Sequence, residues 1–448
     1  MRLLATAFAV SFCLAAVTVH AQDPLAPIVE RELPSLVATY KALHAAPELS
    51  REEAKTTELL AREMRAAGYA VTERVGKYPN PEWKAYGLVA ILENGPGPTV
   101  LVRTDLDGLP VLEQTGLPYA STAKAKDPAG LDVPVMHACG HDLHMSSWLG
   151  TARALAALRD RWSGRLMFVG QPAEERIQGA QAMLADRLYE RFGTPDFVLA
   201  LHDTADLPAG TVGYTPGYAL AAANVVEIVV RGVGGHGSRP EATKDPVVLA
   251  AQIVMALQTI VSREVSPLDS AVVTVGTIHG GTKANIIPDE VRLQLSVRSY
   301  KPEVRDRVLA SIERIARGLA TAAGVPADRL PTVAVNEDEV APATWNQPEL
   351  TARLAGVFKR TLGEARTVEV PPVMGSEDVG HFALEGHRIP AVMFWLGGAD
   401  PASLEQAKKA GVPPPGLHSS KWAPVPEPTI RSGVTAMTAA VLDLLKKK

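Results

Sequence analysis

The sequence predicts an α/β fold: a mostly parallel sheet flanked by helices, with a smaller α+β domain inserted into it. Three observations carry that prediction. Short continuous apolar runs alternate with segments of helical rhythm, dense polar clusters directly follow several of those runs, and the pattern changes after Tyr218. Continuous apolar runs suit strands covered on both faces, and strand–helix alternation suits a parallel layer.

The elements follow in order. Residues 30–67 have helical rhythm, broken at Ala46-Pro47. GLVAIL (87–92), TVLVRT (99–104), RLMFVG (165–170) and FVLAL (197–201) read as buried strands, with a helix over 145–159. In such sheets, sites form beyond the carboxyl ends of the strands. Residues 225–231 alternate like a strand exposed on one face. A long helix over 245–263, strands over 271–277 and 291–299, and a helix over 302–323 come next. That succession suits a small α+β domain. From 332 the chain returns to buried runs such as AVMFWL (391–396) and closes with a helix. The expected division is therefore 22–220 with 332–448 as one domain, and 221–331 as the insert.

Residues 1–21 place a positive residue before an apolar stretch and small residues at its end. This predicts a signal peptide removed after Ala21, and so an exported protein, periplasmic or secreted. No later segment is expected to reach membrane-span length. The net charge of −4 excludes the basic footprint of a nucleic-acid binder. Of the two cysteines, Cys13 lies in the leader, leaving Cys139 with no disulfide partner. A free thiol in an oxidising compartment is a liability unless a metal takes its thiolate.

That cysteine lies in HACGHDLH (137–144). Gly140 permits a tight turn, so Cys139 and His141 can face one ion. Thiolate and imidazole suit zinc and related metals. His137 and His144 are weaker ligand candidates, and Asp142 is a candidate for orienting an imidazole. Glu174-Glu175 follow a buried strand. One such carboxylate can bind metal while its neighbour takes a proton from water; acids at a helix start are the plainer reading. His202 ends a predicted strand and His418 lies in GLHSS. Cys139, His141, Glu175, His202 and His418 make a candidate ligand set large enough for two metals. GVGGHGSRP (232–240) presents His236 among glycines, suited to a polar contact with substrate or a developing oxyanion. Asn285, in GGTKANIIPD, can serve similarly. A cysteine hydrolase built on Cys139 and a nearby histidine is the rival, and it leaves Glu174, Glu175 and His418 unexplained.

LHAAPELS (43–50), RTDLDGLP, MHACGHDLH, GQPAEE, GVGGHGSRP, GGTKANIIPD, MGSEDVGHF and LHSS occur in this order along nearly the whole chain. In these motifs the chain resembles the M20 family of metallopeptidases and amidohydrolases. The likeness is strongest to its aminoacylase-like branch of hippurate hydrolases, indole-acetyl-amino-acid hydrolases and N-acyl-diaminopimelate deacetylases. The resemblance implies a di-metal catalytic domain with an inserted lid that often dimerises. It implies Cys139, His141, Glu175, His202 and His418 as ligands, with the cysteine bridging, and Glu174 as general base. By the same resemblance Asp107 orients the metal centre, and His236 and Asn285 reach substrate from the lid. Arg298 is a candidate for the substrate carboxylate, which a guanidinium pairs bidentately. The chain departs from the expected pattern at Asp203, where an apolar residue is expected, and at KWAPVPE after His418.

The expected activity is hydrolysis of N-acyl amino acids or short peptide-like amides. The expected cofactors are two divalent metal ions, zinc first, with manganese, cobalt or nickel as alternatives. The expected partners are a small-molecule substrate and a second copy of the chain, as a homodimer or higher homo-oligomer through the lid. No nucleic acid is expected, and no membrane once the signal is removed. The alternatives are a dipeptidase or carboxypeptidase of the same fold, and a non-catalytic metal- or ligand-binding periplasmic protein.

Overall fold

Buried apolar strands with helices between them build an eight-stranded sheet in the computed structural model, which describes residues 24–127 and 129–447. The expected leader, 1–21, lies outside those residues. The strand order is Ala70–Val75, Gly87–Asn94, Gly164–Gln171, Thr99–Asp105, Phe197–Pro208, Ala391–Ala399, Val212–Tyr214 and Thr367–Glu369. The strands from Gly164–Gln171 to Ala391–Ala399 run parallel, and antiparallel pairings flank them.

Both faces of the parallel strands are buried, which explains their continuous apolar character. In Gly164–Gln171, Leu166 and Phe168 enter one core while Met167 and Val169 enter another. In Ala391–Ala399, Phe394 and Trp395 divide in the same way. Helices Leu25–Ala45, His141–Ala157 and Pro426–Leu444 contribute Leu36, Trp148 and Val434 to the first core. Helix Gly179–Ala185 and the turn Asp378–Ala383 contribute Met183 and Phe382 to the second.

Helix His141–Ala157 starts after Gly140, whose φ of 76° is left-handed. It is buried almost throughout, polar residues included. Those residues find partners: Ser146 Oγ donates to Asp142 O at 2.7 Å, and Trp148 Nε1 donates to Val102 O at 3.0 Å. Such pairing is what makes a polar helix tolerable in a core.

A second sheet has the order Ala271–Gly280, Glu290–Ser299, Ala222–Arg231, Thr332–Ala341, antiparallel throughout. Helices Pro246–Thr259 and Pro302–Ala322 complete a split βαβ arrangement. Ile228, Leu293 and Leu295 pack there against Leu249, Ile253, Val308 and Ile312.

Three expectations need correction. The boundary expected at 331 falls before the last strand of this second sheet. Val333 and Val335 of Thr332–Ala341 pack on its core while Thr332, Ala334 and Asn336 are exposed, so period-2 patterning carries the sheet further. Next, Phe197–Pro208 does not end at His202: its parallel pairing with Ala391–Ala399 continues past the His202–Trp395 register. Finally, Pro246–Glu264 is long and apolar enough to cross a membrane, with 19 residues at mean hydropathy 1.5. Its Leu249, Ile253 and Leu257 lie in the core of the second sheet.

Gly150 packs helix His141–Ala157 tightly against its neighbours. A Cβ there would stand 2.5 Å from Val434 Cγ2 and 2.6 Å from Leu36 Cδ1. Gly150→Val is expected to destabilise by ~1–3 kcal/mol through overpacking, read as a lower urea midpoint at unchanged slope. At Gly318, in a helix with open space around it, Gly318→Ala is expected to stabilise by ~0.5–1 kcal/mol in the same titration.

Candidate metal centre

The parallel strands deliver their polar ends to one place. Asp105 ends its strand and Asp107 follows it. Glu174 and Glu175 lie just beyond Gly164–Gln171, and His202 lies in Phe197–Pro208, on the other side of Thr99–Asp105. Cys139 and His141 flank the left-handed Gly140 at the start of the buried helix. His418 comes from a loop anchored by its own N–H on Ala138 O at 2.8 Å.

The side chains form two donor groups that share one sulfur. Cys139 lies with His141 and His202 in one group, and with Glu175 and His418 in the other. Cys139 Sγ is 3.6 Å from His202 Nε2 and 3.3 Å from His418 Nε2. His418 Nε2 is 3.6 Å from Glu175 Oε1. His141 Nε2 is 3.7 Å from Glu174 Oε2 and 3.9 Å from Glu175 Oε1. All of these are buried or nearly so except His418, whose side chain is 57% exposed. The site therefore opens to solvent on the His418 side.

The imidazoles are oriented for metal. His141 Nδ1 donates to Asp107 O at 2.7 Å, and His202 Nδ1 donates to Asp203 O at 2.8 Å. Each Nε2 lone pair is thereby directed at the shared centre, the usual way a protein fixes a ligating tautomer. His141 Nε2 and Glu175 Oε1 are buried without a hydrogen-bond partner. Orphaned buried acceptors are costly, and a cation between them removes that cost. The charge balance agrees. Burial alone would lower the pKa of His141, yet Asp105, Asp107 and Glu175 raise it well above the ordinary value. Burial, Glu175 and Glu174 push the Cys139 thiol well up. A nucleophilic cysteine needs electropositive surroundings, so the cysteine-hydrolase reading finds no support in this environment. The residues present fit divalent metals.

A further layer holds the donors, and much of it escaped the sequence reading. Asp107 lies behind them: its Oδ1 and Oδ2 accept the Glu174 and Glu175 N–H groups, each at 3.1 Å. His144 spans two carboxylates, Nδ1 at 2.8 Å from Asp105 Oδ1 and Nε2 at 3.2 Å from Asp203 Oδ1. The unexpected Asp203 is thus a buried anchor. Arg103, buried, pairs with Asp105 Oδ2 at 2.7 Å and with Glu377 Oε1 at 2.7 Å, which gives MGSEDVGHF a structural task. Asp142 does not orient a ligand imidazole. It pairs with His44 Nδ1 at 2.6 Å, and His44 Nε2 reaches Glu113 Oε1 at 3.0 Å. His137 is buried with neither ring nitrogen partnered, and burial lowers its pKa to about 4.

The candidates on the inserted domain differ in placement. His236 and Asn285 are exposed and adjacent, with Gly237 N donating to Asn285 O at 2.9 Å and Ser238 Oγ 2.8 Å from His236 Nδ1. Among the described residues no hydrogen bond or ion pair joins either to the donor set. Arg298 donates to Met374 O at 2.9 Å, and its charge helps hold the His418 pKa down after burial and the other two histidines.

Two donor triads sharing the Cys139 sulfur beside the buried Glu174 carboxyl define a metal-dependent hydrolase site. Residues 101–410 match Peptidase family M20/M25/M40. The chain is 36% identical over 386 residues to the N-acetyldiaminopimelate deacetylase of Leuconostoc mesenteroides, covering 85% of this chain and 93% of that protein. It is 37% identical over 345 residues to the hippurate hydrolase of Campylobacter jejuni, covering 76% and 82%. Its fold is similar to the dinuclear metal-binding peptidase of the M20 family from Bacillus subtilis, with TM-score 0.70 at 26% identity over 93% of this chain and 99% of that one. The chain is a metal-dependent amidohydrolase and belongs to peptidase family M20.

The Gly140 turn and the His44 pair each give a test. A Cβ on Gly140 would stand 2.4 Å from Asp203 Oδ2, and the left-handed backbone adds ~1–2 kcal/mol. Gly140→Ala is expected to lower bound metal per chain, measured by elemental analysis, at unchanged far-ultraviolet circular dichroism. For His44, burial works to lower the pKa, but Asp142 and Glu113 raise it to about 9 from 6.5. A raised folded pKa contributes stability that is fully present below 6.5 and lost as pH rises through about 9. The metal-free His44→Gln variant should therefore melt below wild type at pH ~6, with the gap narrowing by pH ~10.

Proposed function

We propose that the chain hydrolyses the amide bond of N-acyl amino acids, with Glu174 as general base. The observation that carries this reading is the pair of donor groups meeting at Cys139, beside which Glu174 groups with His141 and Glu175. Cys139, His141 and His202 would hold one divalent ion, and Cys139, Glu175 and His418 a second. Bound there, such ions polarise a carbonyl and lower the pKa of water toward ~7. The chain's own residues do the rest. Glu174, buried at 3.7 Å from His141 Nε2, takes the proton of the attacking water and returns it to the leaving amine. Asp107 fixes both the His141 ring and the Glu174-Glu175 backbone. Arg298 binds the substrate carboxylate bidentately. His236 and Asn285 meet substrate from the lid.

The thiolate–imidazole–carboxylate set favours zinc over manganese, cobalt or nickel. The acyl group comes from a small range, because the relatives are named for N-acetyldiaminopimelate, hippurate and N-acetylcysteine. A relative named thermostable carboxypeptidase 1, from Saccharolobus solfataricus, is 34% identical over 364 residues and supports peptides as a second substrate class. We further propose a homodimer through the lid. The strand Ala271–Gly280 is an open sheet edge; its Ile278 is 58% exposed, and Val248 and Met255 on helix Pro246–Thr259 are 55% and 72% exposed. Residues 1–21 are proposed to direct export and to be removed.

Treatment with a chelator is expected to abolish turnover, and zinc to restore it, on a panel of N-acetyl and N-benzoyl amino acids and dipeptides. Turnover that survives complete metal removal would reject the mechanism. Glu174→Gln is expected to keep its metal and lose kcat by ~10²–10⁴-fold. Light scattering of the purified protein tests the dimer, and the mass of the exported form tests cleavage after Ala21.

A further inference from the structure

The motif LHAAPELS and the residues after it, Arg51-Glu52-Glu53, supply no donor to the metal centre, yet they are bound to it from behind. Gly108 N donates to Glu48 O at 2.7 Å, which ties this segment to the loop carrying Asp107. Ser50 Oγ donates to Asp107 Oδ2 at 2.6 Å. Glu53 is fully buried (0% exposed). Its Oε1 accepts the Arg51 N–H and the Ala173 N–H, both at 2.8 Å.

Ala173 immediately precedes Glu174, and its φ of 49° is left-handed although it is not glycine. Ile177, at the far end of the same turn, has φ of 55°. Each such residue costs ~1–2 kcal/mol, so the turn persists only because its surroundings hold it. The holding groups are carboxyls. Ala173 N–H goes to Glu53, Glu174 N–H to Asp107 Oδ1 and Glu175 N–H to Asp107 Oδ2. Three successive amides of the turn are thus captured by two buried side chains from two other segments. Among the described residues the Ala173 N–H has no other acceptor.

We propose that Glu53 is a positioning residue for catalysis: by capturing the Ala173 N–H it sets the left-handed entry to the turn and so aims the Glu174 carboxyl at the reacting centre. This rests on the reading of Glu174 as the base. Glu53 acts as a hydrogen-bond acceptor, not as a charge. Burial, and then Asp107, raise its pKa to about 8, and its Oε1 is the oxygen turned toward Ala173. Glutamine offers the same oxygen at the same reach. Aspartate is shorter by one carbon–carbon bond, about 1.5 Å, and alanine offers nothing.

The test compares E53Q, E53D and E53A in the full chain, with hydrogen exchange of the 173–175 amides in metal-free protein, bound zinc per chain, and kcat and KM at saturating zinc. E53D and E53A are expected to exchange these amides ~10-fold faster, as for loss of one buried hydrogen bond. They should lose kcat ~10–100-fold through misplacement of about 1 Å, with KM and zinc content within ~3-fold of wild type. E53Q is expected to restore both protection and kcat to within ~3-fold of wild type. Unchanged amide exchange, or wild-type kcat in a folded E53D, overturns the proposal. An E53Q as impaired as E53A overturns the acceptor role. If E53A does not fold, the E53Q and E53D pair still decides. If Glu174→Gln retains turnover, the base reading fails, while the exchange data still report whether Glu53 holds the turn.

Discussion

Buried negative charge is the constraint on which the centre of this molecule depends. Asp105, Asp107, Glu174, Asp203, Glu377 and Asp378 are all buried within one region, and buried carboxylates without partners are costly. The fold answers with the buried Arg103 for Asp105, Glu377 and Asp378, with His144 for Asp105 and Asp203, and with backbone amides for Asp107. What these leave over is directed inward: Glu175 Oε1, the Nε2 of His141 and His202, and the Cys139 sulfur. The donor set is the remainder of a charge arrangement that protein groups alone do not close. Metal binding and the stability of this core are consequently linked.

That dependence explains why the helix beginning at His141 is buried on nearly every side. Its first turn carries His141 as donor, Asp142 as the partner of His44 and His144 as the bridge between two carboxylates. Helix packing on Leu36 and Val434 therefore fixes the donors as well as the core. Precision of this kind is cheaper to hold on a rigid helix and strand ends than on mobile loops. Only His418 comes from an exposed loop, and it lies on the side where substrate must enter.

The parallel layer and the residues that cluster at Cys139 were legible in the sequence because their signals are local. A run such as RLMFVG announces a doubly buried strand, and Cys139-Gly140-His141 and Glu174-Glu175 are each complete within three residues. The supporting layer was not legible, because its meaning lies in long-range pairs. Arg103 meets Glu377 across 274 positions, and Ala173 meets Glu53 across 120. Asp203 looked anomalous beside His202 until His144, 59 positions earlier, supplied its partner. Asp142 illustrates the converse error. Adjacent to a ligand in sequence, it points away from it, because successive residues on a helix face different directions. The strand Thr332–Ala341 was misplaced for a related reason: its alternation signals a strand but does not say which sheet receives it.

Glu174 brings the charge argument to the chemistry. Burial, Glu377, Glu175 and Asp378 all raise its pKa well above the usual carboxyl value. A general base works best with a pKa near the working pH. Two divalent charges at the neighbouring donors act in the opposite direction, favouring the carboxylate. The crowd of acids around Glu174 therefore offsets the field of the metals: with metals alone the carboxylate would be too weak a base, and with acids alone it would stay protonated. The buried carboxylates that favour a cation in the site are the same groups that raise the pKa of Glu174, as the proposed base requires.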